Sequence, residues 1–256
     1  MMMGKNAMPR GIRVGTGAVG AESVPDLDAK KRRILKRNPI AAAGSPDSMT
    51  KLIEAGTLQR VPRGRPLVAQ GEPIASIAIV GTGRVRMIRT IDDGRTLSLG
   101  YRGPGDIIGE AALGGTPDHR ESAVAAEEVE ALVIPLATAK AVMASDLGFA
   151  TGVMATLVAR HYDAEERLAS MLFRNVEARL AEFLLKAATR WGIPDPRGVL
   201  IAAPLTHQEM ASMIGSTRET VTLTLGEMRR KGIIEFDRRR IVVRDRDTLR
   251  TKVTPA

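Results

Sequence analysis

The chain has 256 residues, 44% hydrophobic and 26% charged, with no cysteine and a net charge of +9, enough for one large or two modest domains. The lack of cysteine excludes disulfides, thiolate metal sites, cysteine-ligated iron–sulfur clusters and a cysteine nucleophile. No uninterrupted apolar run approaches the roughly 20 residues of a membrane span and no secretory h-region is visible, so a cytoplasmic protein with no membrane partner is expected.

The charge is unevenly placed. Residues 1–45 hold nine Lys and Arg against three Asp and Glu, a balance of +6. Residues 46–173 balance at −3, and residues 174–256 at +6. Residues 1–45 lack a sustained apolar period and include Lys30-Lys31-Arg32-Arg33 and Lys36-Arg37. They are expected to form a flexible basic N-terminal arm, at most with a short helix near residues 27–36.

Residues 46–145 carry a different pattern. Leu67–Ala69, Ile77–Val80, Val85–Arg89, Thr96–Tyr101 and Val129–Ile134 are short strand candidates. Gly-, Pro- and Asp-rich turns separate them, as in a sandwich or barrel. From residue 146 to 174 the period becomes helical: Met154, Leu157 or Val158, His161, Glu165, Leu168 and Met171 or Leu172 recur at three and four residues, and of these Met154, Leu157, Val158, His161, Leu168 and Met171 are the seam candidates. A helix of that length exceeds what a barrel needs as a cover, and these positions are expected to form a coiled-coil-like dimer seam. The alternative is a helix packed on its own barrel. Residues 175–256 begin with a second helix, Val176 to Trp191, and a link at Asp195-Pro196-Arg197-Gly198.

The run Leu205 to Arg229 then has the pattern of a helix-turn-helix. Thr206 with Glu209 makes a capping box. Met210, Ala211, Met213 and Ile214 fall at helical spacing, and Gly215 suits a left-handed stop. Thr217 caps a second helix whose Val221, Leu225 and Met228 make one buried stripe. Arg218, Glu219 and Thr222 project from the other side near the helix start. There, arginine can pair bidentately with guanine and glutamate can accept from the cytosine amino group. Thr206, Gln208, Ser216 and Thr217 lie beside helix-start N–H groups suited to phosphate. Arg238, Arg239 and Arg240 sit at the tip of an expected hairpin, a wing over the DNA backbone. The partner implied is double-stranded DNA. A solvated charged helix beside an ordinary hairpin is the plain alternative, but the caps, glycine turn and basic tip coincide.

The order barrel, long helix, helix-turn-helix and wing resembles the Crp–Fnr superfamily of bacterial transcription regulators, over about residues 46–245. The most specific parts are Thr206 to Gly232, where Gly215-Ser-Thr-Arg-Glu-Thr-Val-Thr is also similar to cyanobacterial nitrogen-control regulators, and Gly103-Pro-Gly-Asp-Ile-Ile-Gly-Glu110 with Arg120 downstream. The resemblance implies an α+β fold: a cyclic-nucleotide-binding-type jelly-roll barrel, a dimerisation helix and a C-terminal winged helix-turn-helix. It implies a homodimer reading a palindrome of TGTGA-like half-sites about 34 Å apart. Where the cyclic-AMP receptor has a further base-contacting arginine, this chain has Leu223, which suits a looser reading or a thymine methyl. RNA polymerase is an implied partner if the protein activates transcription.

The resemblance also implies an effector cassette from Gly109, Glu110, Ala111, Arg120 and Ser122, with the glutamate on a ribose hydroxyl and the arginine on a cyclic phosphate. Two departures weigh against a cyclic nucleotide. Glu121 follows the arginine directly, and Ala164 and Glu165 replace the Thr-Ser pair that reads adenine. Cyclic AMP, another small effector, and an empty cassette closed by a Glu110–Arg120 ion pair all stay open. No cofactor is certain. His119, His161 and His207 are too dispersed for a cupin metal site, so neither a metal nor an enzyme is expected. A cyclic-nucleotide-binding regulatory protein, mainly a sensor, is the other functional reading.

Overall fold

The computed structural model describes residues 24–92, 94, 96–202, 205–238 and 240–253. Three helices come first: α1 (Val24–Arg37), α2 (Pro39–Ala43) and α3 (Pro46–Ala55). Eight strands follow: β1 (Thr57–Val61), β2 (Pro66–Val68), β3 (Ser76–Thr82), β4 (Val85–Thr90), β5 (Thr96–Arg102), β6 (Ile107–Ile108), β7 (Ser122–Ala125) and β8 (Val129–Pro135), with a 3-10 turn at Glu110–Gly114 before β7. Helices α4 (Leu136–Ser145), α5 (Leu147–Phe173) and α6 (Val176–Trp191) lead to the C-terminal unit. That unit contains β9 (Gly192–Asp195), β10 (Gly198–Ile201), α7 (His207–Ile214), α8 (Arg218–Arg230), β11 (Ile234–Asp237), β12 (Arg240–Val243) and α9 (Arg246–Val253).

The eight strands form two antiparallel sheets, ordered β1-β8-β3-β6 and β2-β7-β4-β5. Their facing sides meet in a core of Val80, Val85, Met87, Ile108, Ala123, Ala125, Val129 and Ala131, the jelly-roll arrangement expected. Strands β3 and β8 are buried on both faces. The alternating residues Ile77, Ile79, Leu132 and Ile134 turn outward into a second core supplied by the helices, which follows from the period-two geometry of a strand.

That second core corrects the expected arm. Leu35 and Ile40 are fully buried in it, and Lys31, itself buried, donates to the Ile53 carbonyl at 3.0 Å. Residues 24–43 are therefore part of the barrel domain. Ile34 and Leu35 anchor α1 by contact with the barrel, too few apolar positions to give a period in sequence. The remainder of that arm, residues 1–23, lies outside the described residues.

Asp146 fixes the start of α5. It accepts from Phe149 N at 3.0 Å and from Ser45 N at 2.7 Å. Hydrogen bonds from Ser48, then Ser45 and Phe149, hold its carboxyl far below the usual range. At 27 residues, α5 is about 40 Å long. Phe149, Val153 and Leu157 face the barrel. Leu147, Met154, Val158, Tyr162, Leu168 and Leu172 are exposed on the other side.

The C-terminal core joins α6, α7, α8, α9 and the wing strands. The wing is larger than the hairpin expected, a four-stranded sheet ordered β11-β12-β10-β9. The supposed link at 195–198 is its β9–β10 turn, pinned by Arg197 to Asp195, Glu235 and Asp237 at 2.8, 3.2 and 3.0 Å. The Arg197 hydrogen bonds hold Asp195 down to about 2.

Candidate nucleic-acid interface and barrel cavity

The helix-turn-helix is built as its sequence dictates. The Thr206 hydroxyl accepts from Glu209 N while Glu209 accepts from Thr206 N, a reciprocal capping box. Gly215 closes α7 in the left-handed region at φ 64°. Thr217 caps α8 by accepting from Thr220 N at 3.2 Å. Val221, Leu225 and Met228 are fully buried, so the opposite face of α8 is turned out by packing. Arg218, Glu219, Thr222 and Leu223 are all exposed on it, Leu223 at 71%. Gln208, Thr206 and Thr217 are exposed as well, and Ser216 is half-buried.

Two hydroxyls are less free than their sequence positions suggest. Thr222 Oγ1 donates to the Arg218 carbonyl at 2.8 Å and lies 2.8 Å from His207 Nδ1. With its proton used, it accepts from that nitrogen. Thr206 Oγ1 donates to Glu209 Oε2 at 2.9 Å, which leaves the helix-start N–H groups as the stronger phosphate donors. Arg238 occupies the turn between β11 and β12 at φ 55°, and both it and Arg240 are exposed. Arg239 lies outside the described residues.

The barrel touches this unit directly. Tyr101 of β5 is buried in the C-terminal core, with its ring edge-on to Trp191 at 5.8 Å. Its hydroxyl donates to Glu209 Oε1 at 2.8 Å, and Arg86 of β4 reaches the same oxygen at 3.3 Å. Burial and then the Glu209 carboxylate push the Tyr101 phenol well up. Burial tends to raise Glu209, but donors from Thr206 and Tyr101 outweigh it and hold the carboxyl below its usual range. Asp106 pairs with Arg190 of α6. Sequence reasoning missed this contact, because nothing in the sequence places β5 beside α7.

The expected effector residues surround a cavity of about 270 Å³ lined by Gly109, Glu110, Ala111, Arg102, Arg120 and Arg160, among others. Ser122 lies apart from that lining on β7, and its hydroxyl accepts from Gln70 N at 3.0 Å. Gly109 sits at φ 85°, where a side chain would also strike the Ser76 carbonyl. Glu110 is buried, and its partner is Arg160 of α5, which corrects the Glu110–Arg120 pair weighed from sequence. Arg120 is exposed, though it lines the same cavity. Arg160 also donates to the Ile107 carbonyl at 2.8 Å. Burial and then the Arg102 charge bring Arg160 down to about 10. Burial pulls the cavity-lining His119 down as well. Arg160 was legible in part, since it continues the barrel-facing stripe Val153, Leu157, where a charge needs a partner.

The residues of the expected dimer seam fall into two groups on α5. Met154, Val158, His161 and Leu168 are exposed. Leu157 instead packs on the barrel core, and Met171, though 40% exposed, lies beside Gly215. Leu147, Tyr162, Leu172 and Phe173 join the exposed apolar side.

Residues 58–146 match the cyclic nucleotide-binding domain family, and residues 178–252 match the Crp-like helix-turn-helix domain family. The chain is similar to the CRP-like cAMP-activated global transcriptional regulator of Mycobacterium tuberculosis, 27% identical over 216 residues, 84% of this chain and 96% of the relative. It is 33% identical to the regulatory protein CysR of Synechococcus elongatus over 174 residues, 66% of this chain and 77% of the relative. The structure of FixK2 from Bradyrhizobium japonicum superposes with a TM-score of 0.70 at 25% identity, covering 78% of this chain and 98% of that one.

Proposed function

Because the chain belongs to the Crp–Fnr family and is a DNA-binding transcription regulator with a cyclic nucleotide-binding domain, we propose that it works as a homodimer on a palindromic operator in the cytoplasm. In this reading α8 enters the major groove. Arg218 and Glu219 read a guanine and a cytosine, and Leu223 faces a thymine methyl in a TGTGA-like half-site. Arg238, Arg239 and Arg240 of the wing, with the N–H groups at Thr206, Gln208, Ser216 and Thr217, hold phosphates. The carrying observation is that all four base-reading side chains are exposed on one face of a helix whose other face is locked in the core.

The dimer forms along the exposed side of α5. Leu147, Met154, Val158, Leu168 and Leu172 are spaced by 7, 4, 10 and 4 residues, each interval a sum of three- and four-residue steps, as suits a two-helix seam. The division into barrel (46–145, joined by residues 24–43), seam helix (146–174) and DNA-binding unit (175–256) serves this assembly. RNA polymerase is the further partner at operators where the protein activates.

The barrel cavity is the effector site of this proposal, with a cyclic nucleotide such as cyclic AMP, or another small anion, as its ligand. Its volume of about 270 Å³ falls just under the usual pocket range of about 300–1,000 Å³, so entry opens it and takes Glu110 from Arg160. A second reading is supported by the Glu110–Arg160 pair, which already supplies the cassette glutamate with a partner from within the fold, as ligand-free operation would. Operator binding by gel shift, with and without cyclic AMP, cyclic GMP and cyclic di-GMP, separates the two. Full affinity without ligand, unchanged by any of the three, removes the cyclic-nucleotide reading and leaves the DNA reading standing.

A further inference from the structure

A second cavity, of about 520 Å³, lies between the barrel and the DNA-binding unit, away from the cassette. Arg63, Arg84 and Arg86 of the barrel line it opposite Arg238, His207 and Phe236 of the C-terminal unit. Glu209, already held by Tyr101 and the capping box, is the one carboxylate among its lining residues.

The arginines are placed rather than merely present. The turn carrying Arg63 is tied to β7 by Gly64 N on the Ala125 carbonyl at 2.8 Å and by Ala125 N on the Arg65 carbonyl at 2.9 Å. Gly64 lies at φ 79°, which closes that turn. Arg84 is mostly buried and oriented by Glu127 at 2.9 Å. Arg63 and Arg238 are exposed and have no carboxylate partner among the described residues. The far wall supplies flat rings: His207 and Phe236 lie 6.2 Å apart, tilted 38°, and Arg229 sits 6.0 Å over the Phe236 ring.

Arginines converging from two directions, with Arg63 and Arg238 unpaired by carboxylates among the described residues and Arg84 and Arg86 held by Glu127 and Glu209, match a chain of phosphates more closely than a single one. The adjacent rings match a purine face. The volume is of nucleotide scale. We propose that this cleft binds a nucleoside polyphosphate, its phosphates on Arg63, Arg84 and Arg238 and its base against His207 and Phe236. Thr206 and Arg238 also line it. On the DNA reading above, on which only this consequence rests, a bound polyphosphate therefore competes with the operator backbone.

The test is calorimetric titration of the full chain, without magnesium and without DNA, using inorganic tripolyphosphate and GTP. Guanosine and citrate at matched ionic strength are the controls. Tripolyphosphate and GTP should bind one per chain. Arg63→Ala with Arg84→Gln should weaken both about tenfold or more. Arg63→Glu, a change at an exposed side chain that leaves folding intact, should do the same alone. Phe236→Leu should weaken GTP about fivefold and leave tripolyphosphate unchanged. Citrate binding as well as tripolyphosphate, or arginine variants that bind normally, overturns the proposal. A duplex with TGTGA half-sites supplies the second arm. Tripolyphosphate should displace it from the wild type. Arginine variants that lose duplex affinity while the wild type ignores free tripolyphosphate would show a cleft serving the DNA backbone alone, which overturns the proposal. Tripolyphosphate binding by a wild type that ignores the duplex would sink the DNA reading and leave the cleft standing.

Discussion

At the start of α8, Arg218 and Glu219 stand exposed with no ion-pair partner among the described residues. Between the barrel and α5 the same two residue types, buried Glu110 and half-buried Arg160, are drawn into one pair beside a small cavity. One region keeps its charges available to an outside partner, and the other has them neutralised within the fold. An exposed charge contributes little to stability and is free for recognition. A buried pair must be separated, at the cost of desolvation, before a ligand can use either member.

Five changes break or sharpen that contrast. The largest effect is expected from Leu225→Ala, which cuts a cavity beneath the reading face. It should lower unfolding free energy by about 3–4 kcal/mol in urea titration. A loss below about 1 kcal/mol would show that α8 is not held by that stripe. Next, Arg160→Leu strands a buried carboxylate and should cost about 3 kcal/mol, most of it recovered by Glu110→Leu in the same chain. Failure of the double variant to recover would mean the cavity needs those charges for more than their mutual pairing.

Arg218→Ala should leave stability unchanged yet cost about 1–3 kcal/mol of operator affinity, with base preference relaxed at one position per half-site. Retained affinity and preference together would remove Arg218 from the reading face. Tyr101→Phe keeps the ring packing and deletes one hydrogen bond to Glu209, an expected loss of about 1 kcal/mol. Because Glu209 is held below its usual range, its contribution is present above the unfolded value of about 4.3 and is lost as pH falls through the folded one. The variant's stability should thus fall less steeply on acidification than the wild type's, and parallel acid curves would show that this bond contributes nothing to the depression. Last, neutralising Arg238 and Arg240 should flatten the salt dependence of DNA binding by about one unit of slope per phosphate contact, with sequence preference intact. A changed preference would place those side chains on bases.

Most of the DNA-binding unit was legible because its signals are local. A capping box, a glycine stop and an i, i+4, i+7 stripe each involve residues within two turns of one another, and each appears in the structure at the expected positions. The wing was legible only in half. β10 joins it through pairing with β12 across about 40 residues of chain and β9 only through β10, and Gly-Ile-Pro-Asp has no strand period to announce it. Strand β7 was overlooked for a related reason: Ser-Ala-Val-Ala is a strand because β2 and β4 flank it, not through bulk or branching of its own. On α5 the sequence listed both apolar faces as one seam, and only the barrel's position separates Leu157 from Val158.

The sequence by itself determined the order barrel, long helix and helix-turn-helix and the identity of the side chains exposed on its second helix, since helical period and capping chemistry act over a few residues. The tertiary structure alone decided that Glu110 meets Arg160 rather than Arg120, that Tyr101 and Arg86 reach Glu209, and that arginines from two domains share one cleft. Those pairs are 50, 108 and 123 residues apart for the first three contacts. Only the packing of the sheets against α5 and of the barrel against α7 brings such distant charges within reach of one another.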